Sequence, residues 1–286
     1  MTPTYESIQN QIDSSFLVRR FGDEAFSAPY HFHPEYELTL ILKGEGTRYI
    51  GNKMAPFFED DLILLGPNIP HCWKLETEGK SKGSCIVIQF AHHFLGDGFF
   101  SGIELSKIQS LLTKSIHGLS FERTIRLQAI SKIITLTTET DKFKKLIIFL
   151  EILQFLAIGE HYIQLEYKVI NYKQSQAGLE RINLVLAYIV ENFRHQISLT
   201  EAAKIVYMTP TAFCKYFKRV TRKTFFDTVL EYRLNYVTQQ LTQSDKSIAM
   251  ICYDSGFNDI SYFNKAFKSR LHLTPLIYRK AFSRIT

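Results

Sequence analysis

Apolar and polar positions divide the 286-residue chain into three stretches of different period. Between Phe16 and Phe90 the apolar residues come in short runs, at Thr39–Leu42, Leu62–Leu65 and Ile86–Phe90. Lys43-Gly44-Glu45-Gly46, Gly51-Asn52 and Gly66-Pro67-Asn68 separate them. Brief apolar runs bounded by Gly, Pro and Asn are what strands joined by tight turns leave in a sequence, and several at this spacing predict a small barrel or sandwich. From Ser106 to about Glu166 the spacing lengthens. Ile108, Leu111, Leu112 and Ile116 recur at helical intervals, as do Ile125, Ile130, Ile133 and Ile134, and Leu146, Phe149, Leu150, Leu153 and Leu156 form another stripe. Such stripes suit packing against their own domain or against a second copy. Residues 167–178 turn polar and read as a linker, and 179–286 is helical in pattern throughout. The expected fold class is α+β: a small β-barrel over 1–105, a helical connector with a possible role in dimerisation over 106–166, then an all-α domain over 179–286.

The rear contains an internal repeat. Shifted by fifty residues, Phe213, Lys215, Phe217 and Lys218 fall on Phe263, Lys265, Phe267 and Lys268; upstream, Leu199 and Ala203 fall on Ile248 and Cys252 at a shift of 49. One residue has entered the turn of the second copy. Two short helices joined by a tight turn, used twice, account for the pattern. In the first copy Thr209 can cap the second helix, with Pro210 suited to its first position; in the second, Asp259 is the natural cap. Phe213/Phe217 and Phe263/Phe267, each pair four apart, share a buried face. Thr211, Cys214 and Lys215 then lie on another face, as do Ser261, Asn264 and Lys265. Short polar groups and a lysine near the N-terminal half of a helix suit base-edge contact in a major groove.

Charge sharpens this reading. The net charge is +6, but from Leu179 onward 16 Lys and Arg stand against 8 Asp and Glu, whereas the remainder holds 18 against 20. A basic rear on a near-neutral front points to a polyanionic partner. Lys204, Lys218, Arg219, Lys268 and Arg270, with Arg222 and Lys223 nearby, are expected on phosphates, where they position the module without reading sequence. Four cysteines without a C-x-x-C pair fit reduced thiols better than a disulfide framework or zinc finger. No basic-then-apolar leader opens the chain, and its greasiest stretch, Leu146–Ile158, is too short to span a bilayer, so a soluble cytoplasmic protein is expected.

Several motifs of the rear resemble the AraC/XylS family of bacterial transcription regulators. They are Leu199-Thr-Glu-Ala-Ala203, Tyr216-Phe-Lys-Arg219, Tyr232-Arg-Leu234, Gly256-Phe-Asn-Asp259, Ser261-Tyr-Phe263, Ala266-Phe-Lys268 and Leu273-Thr-Pro275 with Tyr278-Arg279. The resemblance, over about 197–279, implies two helix-turn-helix subdomains bridged by one long helix at about Phe225–Gln243 and inserted into successive major grooves of double-stranded DNA. It places base contacts at Thr211, Cys214, Lys215, Ser261, Asn264 and Lys265. The chain departs from the family at Arg222 and His272, where glycine is usual just past helix ends, and at Tyr207 and Val237, where smaller residues are common.

At the front, His31-Phe-His33 with Glu37 and Gly44 resembles the first motif of a cupin barrel, and Asp60-Asp61…Gly66-Pro67…Pro70-His71 the second, with aspartate where glycine usually opens it. On a strand His31 and His33 would point to one side, and with Glu37 and His71 they could form a nitrogen-rich site for Fe, Mn, Ni or Zn. The other readings are a pocket for a small-molecule effector, lined by His31, His33, Glu37, Tyr49, His71 and Trp73, and ordinary hydrogen bonding inside a barrel. Tyr36 and Phe90 are further candidates for that lining. The expected protein is an effector-responsive, sequence-specific DNA-binding regulator with no cofactor and no catalytic site, and with a capacity to form homodimers. The rival is a metal-dependent cupin enzyme with an appended helical domain. No nucleophile triad, Walker loop or dinucleotide fingerprint supports other chemistry.

Overall fold

The computed structural model describes residues 14–51, 53–76, 82–159, 161–165 and 176–282. Of the expected linker at 167–178, residues 167–175 lie outside the described residues, while 176–178 open the first helix of the rear unit and are not linker. Two compact units account for the chain, one made chiefly of residues 4–169 and the other of 170–286.

In the front unit, strands β1 (Phe16–Phe21), β2 (Tyr36–Lys43), β3 (Gly46–Ile50), β4 (Lys53–Phe57), β5 (Leu62–Leu65), β6 (His71–Leu75) and β7 (Ser84–Phe90) are followed by helix α1 (Ser106–Lys114). Strand β8 (Leu119–Phe121), helices α2 (Arg123–Thr138) and α3 (Lys142–Ala157), and strand β9 (Tyr162–Gln164) complete it. Six strands form one sheet in the order β1-β7-β2-β5-β8-β9, and three form another in the order β4-β3-β6. The central strands are buried on both faces; β5 accordingly reads as an unbroken apolar run, whereas β2 carries Glu37 and Thr39 on one face. Alternation nevertheless sorts their residues. Leu38, Leu40, Ile86 and Ile88 join a core with Leu111, Ile133, Phe149 and Leu153 of the helices. Their neighbours Glu37, Thr39 and Ile41, in register with Gln89, Val87 and Cys85, face the other way into a cavity. Segment 106–166, expected as a helical connector, thus shares the front unit's core, and β8 and β9 extend its larger sheet. These three-residue strands carry too few apolar positions to leave a period of two in the sequence.

Asp61 fastens this unit. It accepts from Arg48 on β3 (2.7 Å) and from Arg126 on α2, and all three side chains are largely buried.

The rear unit is all helical: α4 (Gln176–Asn192), α5 (Leu199–Ile205), α6 (Pro210–Thr221), α7 (Phe225–Gln243), α8 (Ile248–Asp254), α9 (Ile260–Leu271) and α10 (Pro275–Phe282). The expected caps are present, Thr209 accepting from the Ala212 amide with Pro210 opening α6, and Asp259 accepting from Tyr262. The long bridging helix runs as expected. Phe225 at its start meets Phe213 and Phe217 edge-on, with ring centroids 5.6 and 5.8 Å away. Leu234, Val237 and Leu241 further along pack with Phe257, Phe263 and Phe267. A single helix therefore carries part of both subdomain cores, which holds the two helix-turn-helix units in one fixed relation.

Three of the four departures from smaller residues fall at left-handed backbone, and the fourth, Val237, is buried within α7. Arg222 and His272 end α6 and α9 at φ 61°, and Tyr207 turns between α5 and α6 at φ 57°. Tyr207 aligns at the 49-residue shift with Gly256, which sits at φ 86°.

Candidate functional site

Each recognition-type helix is amphipathic by construction. In α6, Phe213, Tyr216, Phe217 and Val220 are buried, which leaves Thr211, Cys214, Lys215, Lys218 and Arg219 exposed. In α9, Phe263, Ala266 and Phe267 are buried, while Ser261, Asn264, Lys265, Lys268 and Arg270 are exposed. The two copies thus present equivalent polar stripes, each spaced i, i+3, i+4. Cys214, Lys215, Asn264 and Lys265 are solvent-facing, so their functional groups are open to an incoming partner.

The cations expected on phosphates differ in how free they are. Lys204 bonds Glu201 Oε1 one turn earlier (2.8 Å); the hydrogen bond and the charge of that carboxylate raise its pKa. Arg270 donates to Asp227 Oδ1 (3.0 Å) in the first turn of α7, tying the end of α9 to the start of the bridging helix. Asp227's pKa is lowered, mainly by the Thr224 hydroxyl, with Arg270 contributing. Lys223 is likewise paired, with Glu231. Two motif arginines use their donors inside the unit. Arg233 donates to the carbonyls of Phe193 (2.7 Å) and His195 (3.0 Å), and Arg279 to those of Leu241 (3.3 Å) and Lys246 (2.6 Å).

At the front, His31, His33, Glu37 and His71 come together with one donor atom each inside a 4.8 Å span. The backbone does this differently from the expected strand. His31 lies in an isolated bridge to His71, and His33 follows outside any strand. The reciprocal His31–His71 amide bonds (3.1 and 2.8 Å) bring the two sequence motifs together. Nδ1 of His31 donates to the Pro29 carbonyl (2.9 Å) and Nδ1 of His71 to that of Ile69 (2.7 Å), which fixes the orientation of both rings. Glu37 is held by His33 Nε2 (3.0 Å), Thr39 Oγ1 (2.7 Å) and Gln89 Nε2 (2.9 Å), with His71 Nε2 at 3.4 Å.

Electrostatics follow from that packing. Burial, reinforced by His71, lowers the His31 pKa to about 3, so this ring is neutral. Burial also works against charge on His33, but hydrogen bonds to Glu35 and Glu37 outweigh it and carry the pKa up to about 9. Glu37 would be driven up by burial, yet the facing histidines hold it well below the usual carboxylate range.

Beside this cluster lies a cavity of about 160 Å³, walled by Phe21, Phe26, Ile41, Trp73, Cys85 and Val87, with His31, Glu37, Thr39 and Gln89 at its polar side. Of the residues expected to line a pocket, His31, Glu37 and Trp73 do so, and His33 and His71 stand behind, bonded to Glu37. Tyr49 does not. It pairs with Cys72, and opposed residues of an antiparallel ladder share a face, so Tyr49 points away from the side that Trp73 occupies one position along. Tyr36 and Phe90 also lie elsewhere, stacked in the core with centroids 5.1 Å apart. Thr39 and Gln89, which anchor Glu37, had no signal in the sequence, since Gln89 is 52 residues from its partner. Burial pushes the Cys85 thiol up to about 12, so it stays protonated in the cavity wall. No helix among the described residues is long and apolar enough to cross a membrane.

A helix-turn-helix domain model matches residues 202–281 and a cupin domain model residues 19–87. The chain is 26% identical over 256 residues to the uncharacterized HTH-type transcriptional regulator YdeC of Bacillus subtilis, covering 88% of this chain and 86% of that one. It is 24% identical over 242 residues to the uncharacterized HTH-type transcriptional regulator SACOL0084 of Staphylococcus aureus, spanning only 31% of that protein's length. Among solved structures, ToxT of Vibrio cholerae matches 95% of this chain at 16% identity and a TM-score of 0.35. An AraC-type DNA-binding-domain protein of Chromobacterium violaceum matches 39% of this chain and all of its own, at 21% identity and a TM-score of 0.36. The chain thus carries a cupin domain in front of a duplicated helix-turn-helix domain, and the relatives it is similar to along most of its length are themselves named HTH-type transcriptional regulators.

Proposed function

We propose that this regulator reads DNA sequence through Thr211, Cys214, Lys215, Ser261, Asn264 and Lys265, and that a small molecule in the front cavity adjusts its grip. The observation that carries the reading is the pair of exposed, equivalent stripes on α6 and α9, each backed by a phenylalanine core that fixes its helix. Lys215 and Lys265 can donate to guanine O6 and N7, and Asn264 matches the donor–acceptor edge of adenine. Lys204, Lys218, Arg219, Lys268 and Arg270 supply phosphate contacts. The test is gel retardation of promoter DNA over a salt series. The logarithm of affinity should fall linearly with the logarithm of salt, by about 0.9 per phosphate neutralised. A flat salt response overturns the reading.

The front unit (residues 1–105 with the helices of 106–166) serves as the sensor, and self-association uses its helices. In support, Phe143 and Ile147 of α3 and Ile134 of α2 are exposed apolar side chains on a helical face. Sedimentation of the full chain should show a dimer that Phe143→Ser weakens. We assign the barrel to binding and not to turnover.

A second reading is favoured by one observation. The His31, His33, Glu37 and His71 donors are close enough for one ion to reach all four, and the two Nδ1–carbonyl bonds orient their rings as ligating imidazoles are commonly oriented. These residues fit a divalent transition metal, which would supply a Lewis-acid contact to an oxygen of a bound molecule. Binding would displace the proton that His33 otherwise holds. Elemental analysis of protein purified without chelator should then find near-stoichiometric metal, lost in His71→Ala; a trace amount removes this reading.

A further inference from the structure

The two helix-turn-helix units share a fold but not a charge. From Leu199 to Thr224 the first holds six lysines and arginines against one glutamate; from Ile248 to Thr274 the second holds three against two aspartates. The difference sits at aligned positions. Lys204, Arg219, Arg222 and Lys223 of the first unit fall on Tyr253, Ser269, His272 and Leu273 of the second. Arg222 and His272 both stand exposed just past a reading helix at φ 61°, so one backbone position carries a guanidinium in one copy and an imidazole in the other. Among the described residues no carboxylate is paired with Lys215, Lys218, Arg219 or Arg222. Arg270, the one cation that the second unit gains, is tied to Asp227 at 3.0 Å. The caps differ as well. Thr209 caps α6 without charge, whereas Asp259 brings a carboxylate to the N-terminal end of α9, beside its exposed polar stripe.

The polar stripes are skewed in the opposite sense. Lys215 and Lys265 match, Thr211 and Ser261 are close in chemistry, but Cys214 falls on Asn264. A carboxamide offers a donor and an acceptor side by side, the pattern that adenine N7 and N6 complement in the major groove. A thiol is a weak donor and a weak acceptor with no such paired geometry. Both side chains are exposed at equivalent places, so packing does not account for the exchange. Cations on phosphates hold every sequence alike, whereas a bidentate contact to a base edge penalises the wrong base. Asp259 acts in the same direction as Asn264. A carboxylate beside a duplex repels phosphates, so α9 settles where base contacts offset that repulsion.

We infer that the two units divide the work on DNA: the α6 unit supplies most of the sequence-independent grip, and the α9 unit most of the discrimination, with Asn264 reading an adenine. The inference rests on the DNA-reading proposal above and adds which half of the target is fixed in sequence. The target is a lopsided duplex site. Its α9 half contains a required A·T pair, and its α6 half tolerates substitution.

The experiment uses the full-length protein to select tight binders from a pool of random duplexes, then measures variants on the selected site and on unrelated DNA. Sequence constraint should be concentrated in one half of the site, and Asn264→Ala should show which half that is. It should lose about tenfold discrimination at one A·T pair there while holding unrelated DNA within about twofold of the parent; Cys214→Ala should change discrimination by less than about twofold. Arg219→Ser with Arg222→His gives α6 the residues of the α9 unit. It should weaken selected and unrelated duplexes by the same factor and lower the slope of log affinity against log salt by about 2. All four positions are exposed, and circular dichroism shows that each variant is folded. Equal constraint in both halves overturns the division of work and leaves DNA reading standing. So does a larger loss of discrimination from Cys214→Ala than from Asn264→Ala, or an unchanged salt slope in the arginine exchange. A flat salt response of the parent protein overturns the DNA reading, and this inference with it.

Discussion

Gly256 and Tyr207 occupy equivalent turns of the two helix-turn-helix units, both at left-handed backbone, and substitution should affect them in opposite ways. In Gly256→Ala the new Cβ would lie 2.5 Å from the Phe193 carbonyl oxygen and 2.9 and 3.0 Å from backbone atoms of Arg194. Left-handed backbone costs a residue bearing a Cβ about 1–2 kcal/mol. The Phe193 carbonyl must also move, and it accepts from Arg233 Nε at 2.7 Å; weakening a hydrogen bond to a charged donor costs about 1.5–3 kcal/mol. Stiffening of the unfolded chain offsets about 0.4–1 kcal/mol. The net loss is about 3 kcal/mol, or roughly 12 °C in melting temperature for a unit of this size. Tyr207 is 98% exposed and has no packing to lose. Tyr207→Gly relieves the same backbone strain but adds about 0.5–1 kcal/mol of chain entropy, so the change is near zero to about +1 kcal/mol of stabilisation. Urea titrations followed by far-ultraviolet circular dichroism measure both, and DNA retardation should weaken only for Gly256→Ala. A Gly256→Ala protein within about 0.5 kcal/mol of the parent would refute the proposed requirement for close backbone approach in the second turn.

Other perturbations follow from the same geometry. Lys215→Ala and Lys265→Ala should each weaken binding to a cognate site by about 1–3 kcal/mol; equal losses on unrelated DNA would make them phosphate contacts. Asp61→Ala leaves Arg48 and Arg126 without their shared carboxylate in a largely buried position. It should destabilise the front unit by about 3–5 kcal/mol, measured by thermal unfolding, and an unchanged melting temperature would refute it. Phe263→Ala, at a fully buried ring, should cost about 3–5 kcal/mol and abolish DNA retardation, while front-cavity ligand binding persists.

Much of the rear unit was legible because its signals are local. Helical period, Thr209 and Asp259 as caps, and the fifty-residue repeat each depend on residues a turn or two apart, and hydrogen bonding and side-chain direction within a helix follow from that spacing alone. The front unit was legible only in outline. Short apolar runs indicated strands but not which face of each would meet the helices and which the cavity, since a strand such as Leu62–Leu65 is apolar on both sides.

By itself, then, the sequence determined that Phe213, Phe217, Phe263 and Phe267 would be buried and that the polar residues between them would be left outside. Tertiary structure alone decided the chemistry of the barrel. It set His31 against His71 through a backbone bridge, turned Tyr49 away, brought Gln89 to Glu37 across 52 residues and left the Trp73 N–H without an acceptor. The physical reason is that helix amphipathicity is fixed within a few residues, whereas strand register and the closing of a cavity are set by contacts between segments far apart in the chain.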